Sequence, residues 1–146
     1  MTSCDTNVLY AALCPASVGH ESARSLLDSF LGRRDFLLCE QVLMETYCLL
    51  RNPALHARPL SAPEAAAVIV RLRSNADWPI VDVPERDTVM NEVWSAAATP
   101  GFAFRRIFDL RLGWTLRRWG VDTLYTRNRK DFRDCGFDKV IDPFEE

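Results

Sequence analysis

The sequence predicts an α/β protein with a central, mostly parallel β-sheet. Short apolar runs of strand length alternate along the chain with longer stretches in which apolar residues recur at helical spacing. Several of the helical stretches between predicted strands reach ten or more residues, the length that connections between parallel strands require. No internal repeat or low-complexity linker interrupts this alternation over the 146 residues, so a single domain over 1–146 is expected.

In the first half of the chain, local signals set the bounds of the predicted elements. Asp5 follows the first apolar run, and Pro15 breaks the helix that comes after it. Gly32 would act as a C-cap, and Asn52-Pro53 would end a largely apolar helix. The predicted elements are a strand ending at Asp5, helices at 8–13, 20–31 and 42–50, a strand at 36–39 and a loop at 52–59.

The second half begins with the clearest helix start, because Ser61 stands three residues before Glu64 in a capping-box arrangement. Pro100-Gly101 would stop a later helix, and Gly120 would terminate the next one. The predicted elements are helices at 61–73, 87–98 and 104–119, strands at 78–83, 121–125 and 140–141, and a polar loop at 126–135.

Four acidic residues are expected to converge at one end of the sheet, because ligands of such sheets bind beyond the carboxyl ends of the strands. Asp5 follows the first strand, Glu45 lies on the helix after the second, and Asp109 and Asp131 flank the next-to-last strand. Glu45 and Asp109 are embedded in apolar segments, where a carboxylate needs a counter-charge. A divalent metal ion would supply one.

Each of these acids also has a purely structural interpretation. Asp5 could be the N-cap of the first helix, and Asp131 could cap a turn. Glu40 competes with Glu45 for the same role. The remaining alternatives are ion pairs of Glu45 or Asp109 with Arg105 or Arg106, and a simple turn at Thr126 and Asn128.

The net charge of -2 conceals a basic stretch, since nine of the eighteen Lys and Arg residues lie between Arg105 and Arg133 against three acids. Such a patch attracts polyanions by releasing their counterions, although a solvated surface of mixed charge is the alternative. The candidates for contacting the phosphate backbone of a nucleic acid are Arg105, Arg106, Arg127, Arg129 and Lys130.

Composition argues against a zinc-binding protein and against a membrane or exported protein. The five cysteines form no C-x-x-C pair and only two histidines are present, so we expect reduced cysteines, mostly in the core, and no zinc site. No apolar run reaches the roughly 18 residues of a membrane span, and no apolar leader is visible, which predicts a cytoplasmic protein. The four tryptophans are expected in the core, and any exposed one would suit an interface with another protein chain.

Four short motifs occur in a fixed order along nearly the whole chain. They are Cys-Asp-Thr-Asn-Val-Leu-Tyr-Ala (4–11), Val-Leu-Met-Glu (42–45), Ile-Phe-Asp-Leu-Arg-Leu-Gly (107–113) and Leu-Tyr-Thr-Arg-Asn-Arg-Lys-Asp-Phe (124–132). This order resembles that of PIN-domain nucleases, and most closely the VapC-type toxins of bacterial toxin-antitoxin modules. The resemblance implies a three-layer α/β/α sandwich and an endoribonuclease that uses Mg²⁺ or Mn²⁺. It also implies a homodimer and inhibition by a small VapB-like antitoxin.

Under this resemblance, Asp5, Glu45 and Asp109 match the three principal acids of the family, and Asp131 matches the more variable fourth. All four are therefore candidate metal ligands and catalytic residues. The residues expected to support the site are Thr126, Asn128 and Asn7, and Gly113 stands where a small residue would let its helix approach the sheet. One stretch departs from the family pattern: residues 98–106 carry Pro-Gly-Phe-Ala-Phe-Arg-Arg where a polar loop is expected, which bears on substrate choice.

The chemistry of the four acids suits a nuclease. Mg²⁺ prefers oxygen ligands and keeps several waters, so a few carboxylates can hold it against a phosphate and activate a water for attack on phosphorus. Two other functions stay open. One is an inactive PIN-fold module that binds RNA or protein. The other is a phosphotransfer enzyme or phosphatase with an N-terminal aspartate nucleophile, although Asp5-Thr-Asn lacks the second aspartate of the D-x-D motif.

Overall fold

The computed structural model describes residues 1–86 and 88–145 and contains five short parallel strands. Within this part of the chain the strands are β1 (Thr2–Cys4), β2 (Leu38–Cys39), β3 (Ile80–Val81), β4 (Thr123–Tyr125) and β5 (Lys139–Ile141). Strand β4 pairs with both β1 and β5, and β2 pairs with β3. A parallel bridge between Thr2 and Phe36 joins the two groups, which gives the order β3-β2-β1-β4-β5. The parallel sheet predicted from the sequence is therefore confirmed.

Six α-helices and one 3₁₀ helix connect the described strands. The helices are α1 (Thr6–Leu13), α2 (His20–Asp28), α3 (Glu40–Leu50), α4 (Ala62–Arg73), α5 (Val89–Ala97), α6 (Arg106–Arg118) and the 3₁₀ helix (Arg129–Cys135). Helix α1 packs on α2 and α3, α3 packs on α4, and α6 packs on α5 and on the 3₁₀ helix. Together with the sheet they form the three-layer α/β/α sandwich.

The element bounds differ from the predicted ones in a few places. Helix α3 begins two residues earlier than expected, at Glu40, and β3 is much shorter than the predicted strand at 78–83. The predicted start of the helix at 87–98 is Asp87, which lies outside the described residues; the helix is described from Val89. The capping box of α4 is present, with Ser61 and Glu64 bonding each other's backbone N–H groups.

The segment predicted as a polar loop at 126–135 instead contains the 3₁₀ helix, because two of its side chains belong to the core. Phe132 is fully buried and Cys135 nearly so. Gly113 of α6 makes room for them: a Cβ atom at this position would lie 2.5 Å from the Cys135 Sγ atom. The expected close approach at Gly113 is thus real, but its partner is the 3₁₀ helix rather than the sheet.

The core is continuous between the sheet and the helices. Its largest fully buried side chains include Phe36, Phe132, Leu9, Leu38, Leu43, Leu112, Leu116 and Leu124. All five cysteines are free, as expected, and Cys4, Cys39 and Cys135 are buried, but Cys48 is exposed. The prediction of core tryptophans holds for Trp78 and is wrong for Trp94 and Trp119, which are 61% and 45% exposed. Among the described helices, none has the length and hydropathy of a membrane span.

Candidate active site

Asp5 occupies the junction between β1 and α1 and is held by three donors. It is the N-cap of α1, and its Oδ1 atom accepts a bond of 2.6 Å from the backbone N–H of Thr6. Its Oδ2 atom accepts bonds from Thr126 Oγ1 at 2.8 Å and Asn7 Nδ2 at 2.9 Å. The capping alternative is therefore correct, and the same carboxylate also faces residues from the far end of the chain.

The turn after β4 is fastened to the start of α1 by the predicted supporting residues. Asn7 donates to Thr126 Oγ1 at 3.3 Å and accepts the backbone N–H of Arg127 at 3.1 Å. The Asn128 backbone N–H donates to Thr126 Oγ1 at 2.9 Å. Thr126 is fully buried, whereas Asn128 is exposed and takes part here through its backbone. These bonds fix the position of Asp5 relative to the segment that carries Asp131.

Glu45 points from α3 toward Asp5, and both of its carboxylate oxygens are occupied. Thr6 Oγ1 donates to Oε2 at 2.8 Å, and Gln41 Nε2 donates to Oε1 at 2.9 Å. The competing residue Glu40 forms an ion pair with Arg73 of α4 instead. Glu45, rather than Glu40, is the α3 carboxylate placed beside Asp5.

Gln41 and Arg111 were not among the predicted site residues, although they position Glu45. The Gln41 amide also donates to the carbonyl oxygen of Phe108 at 2.9 Å and accepts from Arg111 Nη1 at 2.9 Å. Arg111 is anchored in turn on Asp82 Oδ1 at 2.8 Å. One signal in the sequence pointed to Gln41, since it lies four residues before Glu45 on the same helix face.

Asp109, in the first turn of α6, lies within the electrostatic reach of the other three acids. Burial raises its pKa from the usual 3.8 to about 7, and the charges of Asp5, Asp131 and Glu45 contribute in that order. Arg106 lowers the pKa of Asp109, by less than these effects raise it. Within residues 1–86 and 88–145, the Asp109 carboxylate accepts no hydrogen bond and forms no ion pair.

The proposed pairing of Glu45 or Asp109 with Arg105 or Arg106 does not occur in the described structure. Arg106 pairs with Asp134 at 3.0 Å, and the Arg105 guanidinium lies 5.7 Å from the centre of the Phe104 ring.

Asp5 is the most buried of the four acids, with 6% of its surface exposed. Burial raises its pKa to about 6, and the charge of Glu45 adds to the effect, whereas the bonds from Thr126, Thr6 and Asn7 lower it. Burial and the neighbouring negative charges thus oppose the ionisation of Asp5 and Asp109. A cation bound among them would remove that opposition.

The four carboxylates do not form a ready-made cage. Among the residues that the structure describes, no three Asp, Glu, His or Cys side chains are arranged to hold a metal ion. The donor chemistry nevertheless fits Mg²⁺ or Mn²⁺, which take carboxylate oxygens. Mg²⁺ in particular is commonly bound through one or two carboxylates while keeping several of its waters. The carboxylate of Asp109, unpartnered in the described part of the chain, is the feature that such an ion would satisfy.

The basic stretch has less unpaired positive charge than its sequence suggests, because acids from other elements form ion pairs with several of its arginines. The ion pairs within it are Arg106–Asp134, Arg111–Asp82, Arg118–Glu92 and Arg129–Glu145. A cleft of about 290 Å³ is lined by residues 127–131 with Arg133 and Glu145, so Lys130 and Asp131 share it. Arg127 lies 4.1 Å from the centre of the Phe144 ring. Three of the predicted RNA-binding residues therefore gather beside Asp131.

Comparison with proteins of known sequence gives a clear relative. Ribonuclease VapC24 of Mycobacterium tuberculosis, in the strains CDC 1551 and H37Rv, is 49% identical over 143 residues, which cover 98% of this chain and 97% of the relative. No protein-family model matches the chain.

Solved structures show the same fold at lower identity. VapC20 of Mycobacterium tuberculosis, described as a sarcin-ricin loop cleaving toxin, has a TM-score of 0.69 at 19% identity and covers 94% of this chain and 96% of its own. FitAcB of Neisseria gonorrhoeae has a TM-score of 0.63 at 22% identity, and a toxin-antitoxin complex from Klebsiella pneumoniae has 0.60 at 17%, each with full coverage of both chains. With the fold, the ordered motifs and the 49% identity in agreement, the chain belongs to the VapC family of PIN-domain ribonucleases, toxins of toxin-antitoxin modules.

Proposed function

We propose that this protein is a metal-dependent endoribonuclease that hydrolyses RNA phosphodiester bonds at the carboxylate cluster of Asp5, Glu45, Asp109 and Asp131. The observation that carries the proposal is the placement of Glu45 beside Asp5: the Thr6 backbone N–H bonds Asp5 and the Thr6 hydroxyl bonds Glu45. The charges of Asp5, Asp131 and Glu45 also reach Asp109, where they add to the effect of burial in raising its pKa. Acids from four separate segments share one electrostatic environment there. The family relationship to Ribonuclease VapC24 supports the same activity.

Each residue of the cluster has a distinct part in the proposal. Asp5 and Asp109 would be the direct metal ligands, because Asp5 is rigidly held at a strand end and Asp109 lacks a protein partner among the described residues. Glu45 and Asp131 would bind the metal, position the attacking water or accept its proton. The metal would be Mg²⁺ or Mn²⁺, which lowers the pKa of bound water and stabilises charge on the phosphate.

Residues around the cluster keep the acids in place and bind the substrate. Thr6 and Gln41 each hold one oxygen of Glu45, so its carboxylate keeps one orientation. For Asp5, Thr126 and Asn7 both donate to Oδ2, and the Thr6 backbone N–H donates to Oδ1. The cleft formed by residues 127–131 would bind the RNA backbone beside Asp131, with Arg105 and Arg106 as a second contact.

The proposal extends to partners and location. A small VapB-like antitoxin would bind and inhibit the protein, in keeping with the toxin-antitoxin complex among its structural neighbours. Exposed apolar side chains suit a protein partner, and Met44, Trp94 and Phe108 are 53%, 61% and 59% exposed. We further propose a homodimer that acts in the cytoplasm. Light scattering of the purified protein would give its oligomeric state, and co-purification with the neighbouring gene product would identify the antitoxin.

The direct test is cleavage of an end-labelled RNA by the purified protein. We expect cleavage with Mg²⁺, none with EDTA, and recovery when Mg²⁺ is added in excess. The variant Asp5→Asn should be inactive while retaining a wild-type circular dichroism spectrum. Asp28→Asn is the matched control, since this exposed carboxylate on α2 lies outside the cluster and should leave the rate unchanged. Undiminished cleavage in EDTA, or by Asp5→Asn, would contradict the proposal, and RNA binding without cleavage would indicate an inactive module.

A further inference from the structure

A cavity of about 470 Å³ lies between α6 and the segment that departs from the family pattern. Residues 99–103 form one wall, and Arg106, Leu110 and Trp114 of α6 form the other, with Asp134 at the rim. This volume lies in the range of pockets that bind small organic molecules. The Pro-Gly-Phe-Ala part of the unusual run, residues 100–103, therefore does not merely link α5 to α6, because it lines a cavity.

Arg106 connects the cavity with the carboxylate cluster, because it lines the cavity and its charge acts on Asp109. Arg106, Leu110 and Trp114 follow one another at intervals of four residues, so they share one face of the helix. Asp109 is three residues after Arg106 and lies beside it on that helix. An RNA whose phosphate lay beside Asp109 would have its neighbouring nucleotide within reach of Arg106, which lines the cavity.

The interior of the cavity suits a flat aromatic group. Phe102 and Trp114 are partly buried and offer ring surfaces, and Leu110 forms an apolar floor. RNA-binding proteins commonly recognise single-stranded RNA by stacking unpaired bases on aromatic side chains and bonding their edges. A nucleobase therefore matches the shape and the apolar walls.

The rim supplies the polar groups that would select among bases. Arg106 Nη2 lies 3.0 Å from Asp134 Oδ2, which sets donors and an acceptor side by side. Guanine presents the complementary order along its edge, with the acceptors N7 and O6 followed by the donors N1–H and N2–H. Arginine binds the N7 and O6 pair well, and a carboxylate accepts from the adjacent donors. Adenine carries an amino group in place of O6. This amino group is a donor, so it cannot accept a hydrogen bond from the guanidinium.

We propose that this cavity, lined by Phe102 and Trp114 and edged by Arg106 and Asp134, binds an unpaired guanine next to the scissile phosphate and so selects the cleavage site. This inference rests on the proposed ribonuclease activity. It adds a substrate determinant outside the carboxylate cluster, and it assigns Arg106 to a base, which leaves Arg105 as the second contact with the RNA backbone.

The test uses the full-length protein and an RNA library of random sequence, with the cleaved ends identified by sequencing. Wild type should show a preference for guanine at one position beside the cut. Phe102→Ala should lower cleavage at guanine-containing sites about tenfold, because one stacking contact to the bound base is lost, and the measured preference for guanine should fall with it. Phe104→Ala is the matched control, because Phe104 is 80% exposed in the same segment and does not line the cavity.

Two further variants keep the test decisive if Phe102→Ala folds poorly. Ala103→Trp fills the cavity from an exposed position and should also abolish the preference. Asp134→Asn should relax the choice of guanine over adenine, because the amide retains the size of the carboxylate but turns one acceptor into a donor.

The outcomes separate this inference from the proposed function. If wild type cleaves RNA without a guanine preference, or if the preference survives Ala103→Trp, the cavity does not select the base and the nuclease assignment stands. If wild type cleaves no RNA in Mg²⁺, both proposals are overturned together.

Discussion

Replacing Asp109 with asparagine should stabilise the metal-free protein. Burial and its three acidic neighbours raise the pKa of Asp109 from 3.8 to about 7, so its ionisation opposes folding at neutral pH. At about 1.4 kcal/mol per pH unit, this difference corresponds to about 4 kcal/mol. Asp109 is partly exposed, and solvent screening reduces the expected gain to about 2 kcal/mol. No hydrogen bond to another described residue is lost in the exchange.

The sign of the pH dependence follows from the direction of the pKa shift. Above about pH 7 the carboxylate is ionised in both the folded and the unfolded chain, and the full free-energy cost of holding the charge in the folded protein is present. As the pH falls toward 3.8, the folded protein takes up the proton first and the cost disappears. The stability gain of Asp109→Asn should therefore be largest at pH 8 and nearly absent at pH 4.

Urea unfolding in EDTA at pH 8, 6 and 4 would measure this effect, with Asp138→Asn as the control for an exposed carboxylate outside the cluster. The reasoning is refuted if Asp109→Asn is no more stable than wild type at pH 8, or if its gain is the same at every pH. Added Mg²⁺ should reverse the ranking, since wild type gains stability from binding the ion and the variant does not.

Three further predictions concern the surroundings of the cluster. Mg²⁺ should raise the melting temperature of wild type in a thermal scan, and the increase should vanish in Asp5→Asn. Gln41→Leu, which removes a donor from Glu45, should weaken Mn²⁺ binding in calorimetry about tenfold, and an unchanged affinity would show that this bond does not position the carboxylate. Gly113→Ala should lower the free energy of unfolding by about 1–3 kcal/mol, because its Cβ would lie 2.5 Å from the Cys135 Sγ atom. Adding Cys135→Ala to Gly113→Ala should restore most of the loss, and no recovery would mean that the crowding lies elsewhere.

The sequence predicted the alternation of strands and helices because local signals are strong in this chain. Asp5 ends a strand and caps a helix, and the Ser61–Glu64 capping box starts another. The 3₁₀ helix was missed because its sequence is mostly polar and charged, and only Phe132 and Cys135, three residues apart, pack into the core.

The features of the site and surface that could not be predicted from the sequence depend on contacts between distant segments. Glu40 and Glu45 are the same residue type on the same helix, so the sequence does not show which of them faces Asp5. The structure separates their roles because Arg73, on another helix, pairs with Glu40. The support of Glu45 by Gln41 likewise depends on Arg111, seventy residues further along the chain. The exposure of Trp94 and Trp119 is also set by which helix faces remain uncovered, which hydropathy alone does not specify.

The position of β1 in the middle of the sheet has a consequence for the biosynthesis of the protein. Its partner on one side, β4, and the Thr126 hydroxyl that holds Asp5 come from the opposite part of the sequence, 121 residues away in the case of Thr126. A nascent chain on the ribosome therefore carries Asp5 and Glu45 long before the segment that completes the centre has been translated. The site is therefore incomplete in any chain that ends before β4, because such a chain lacks the Thr126 hydroxyl that bonds Asp5.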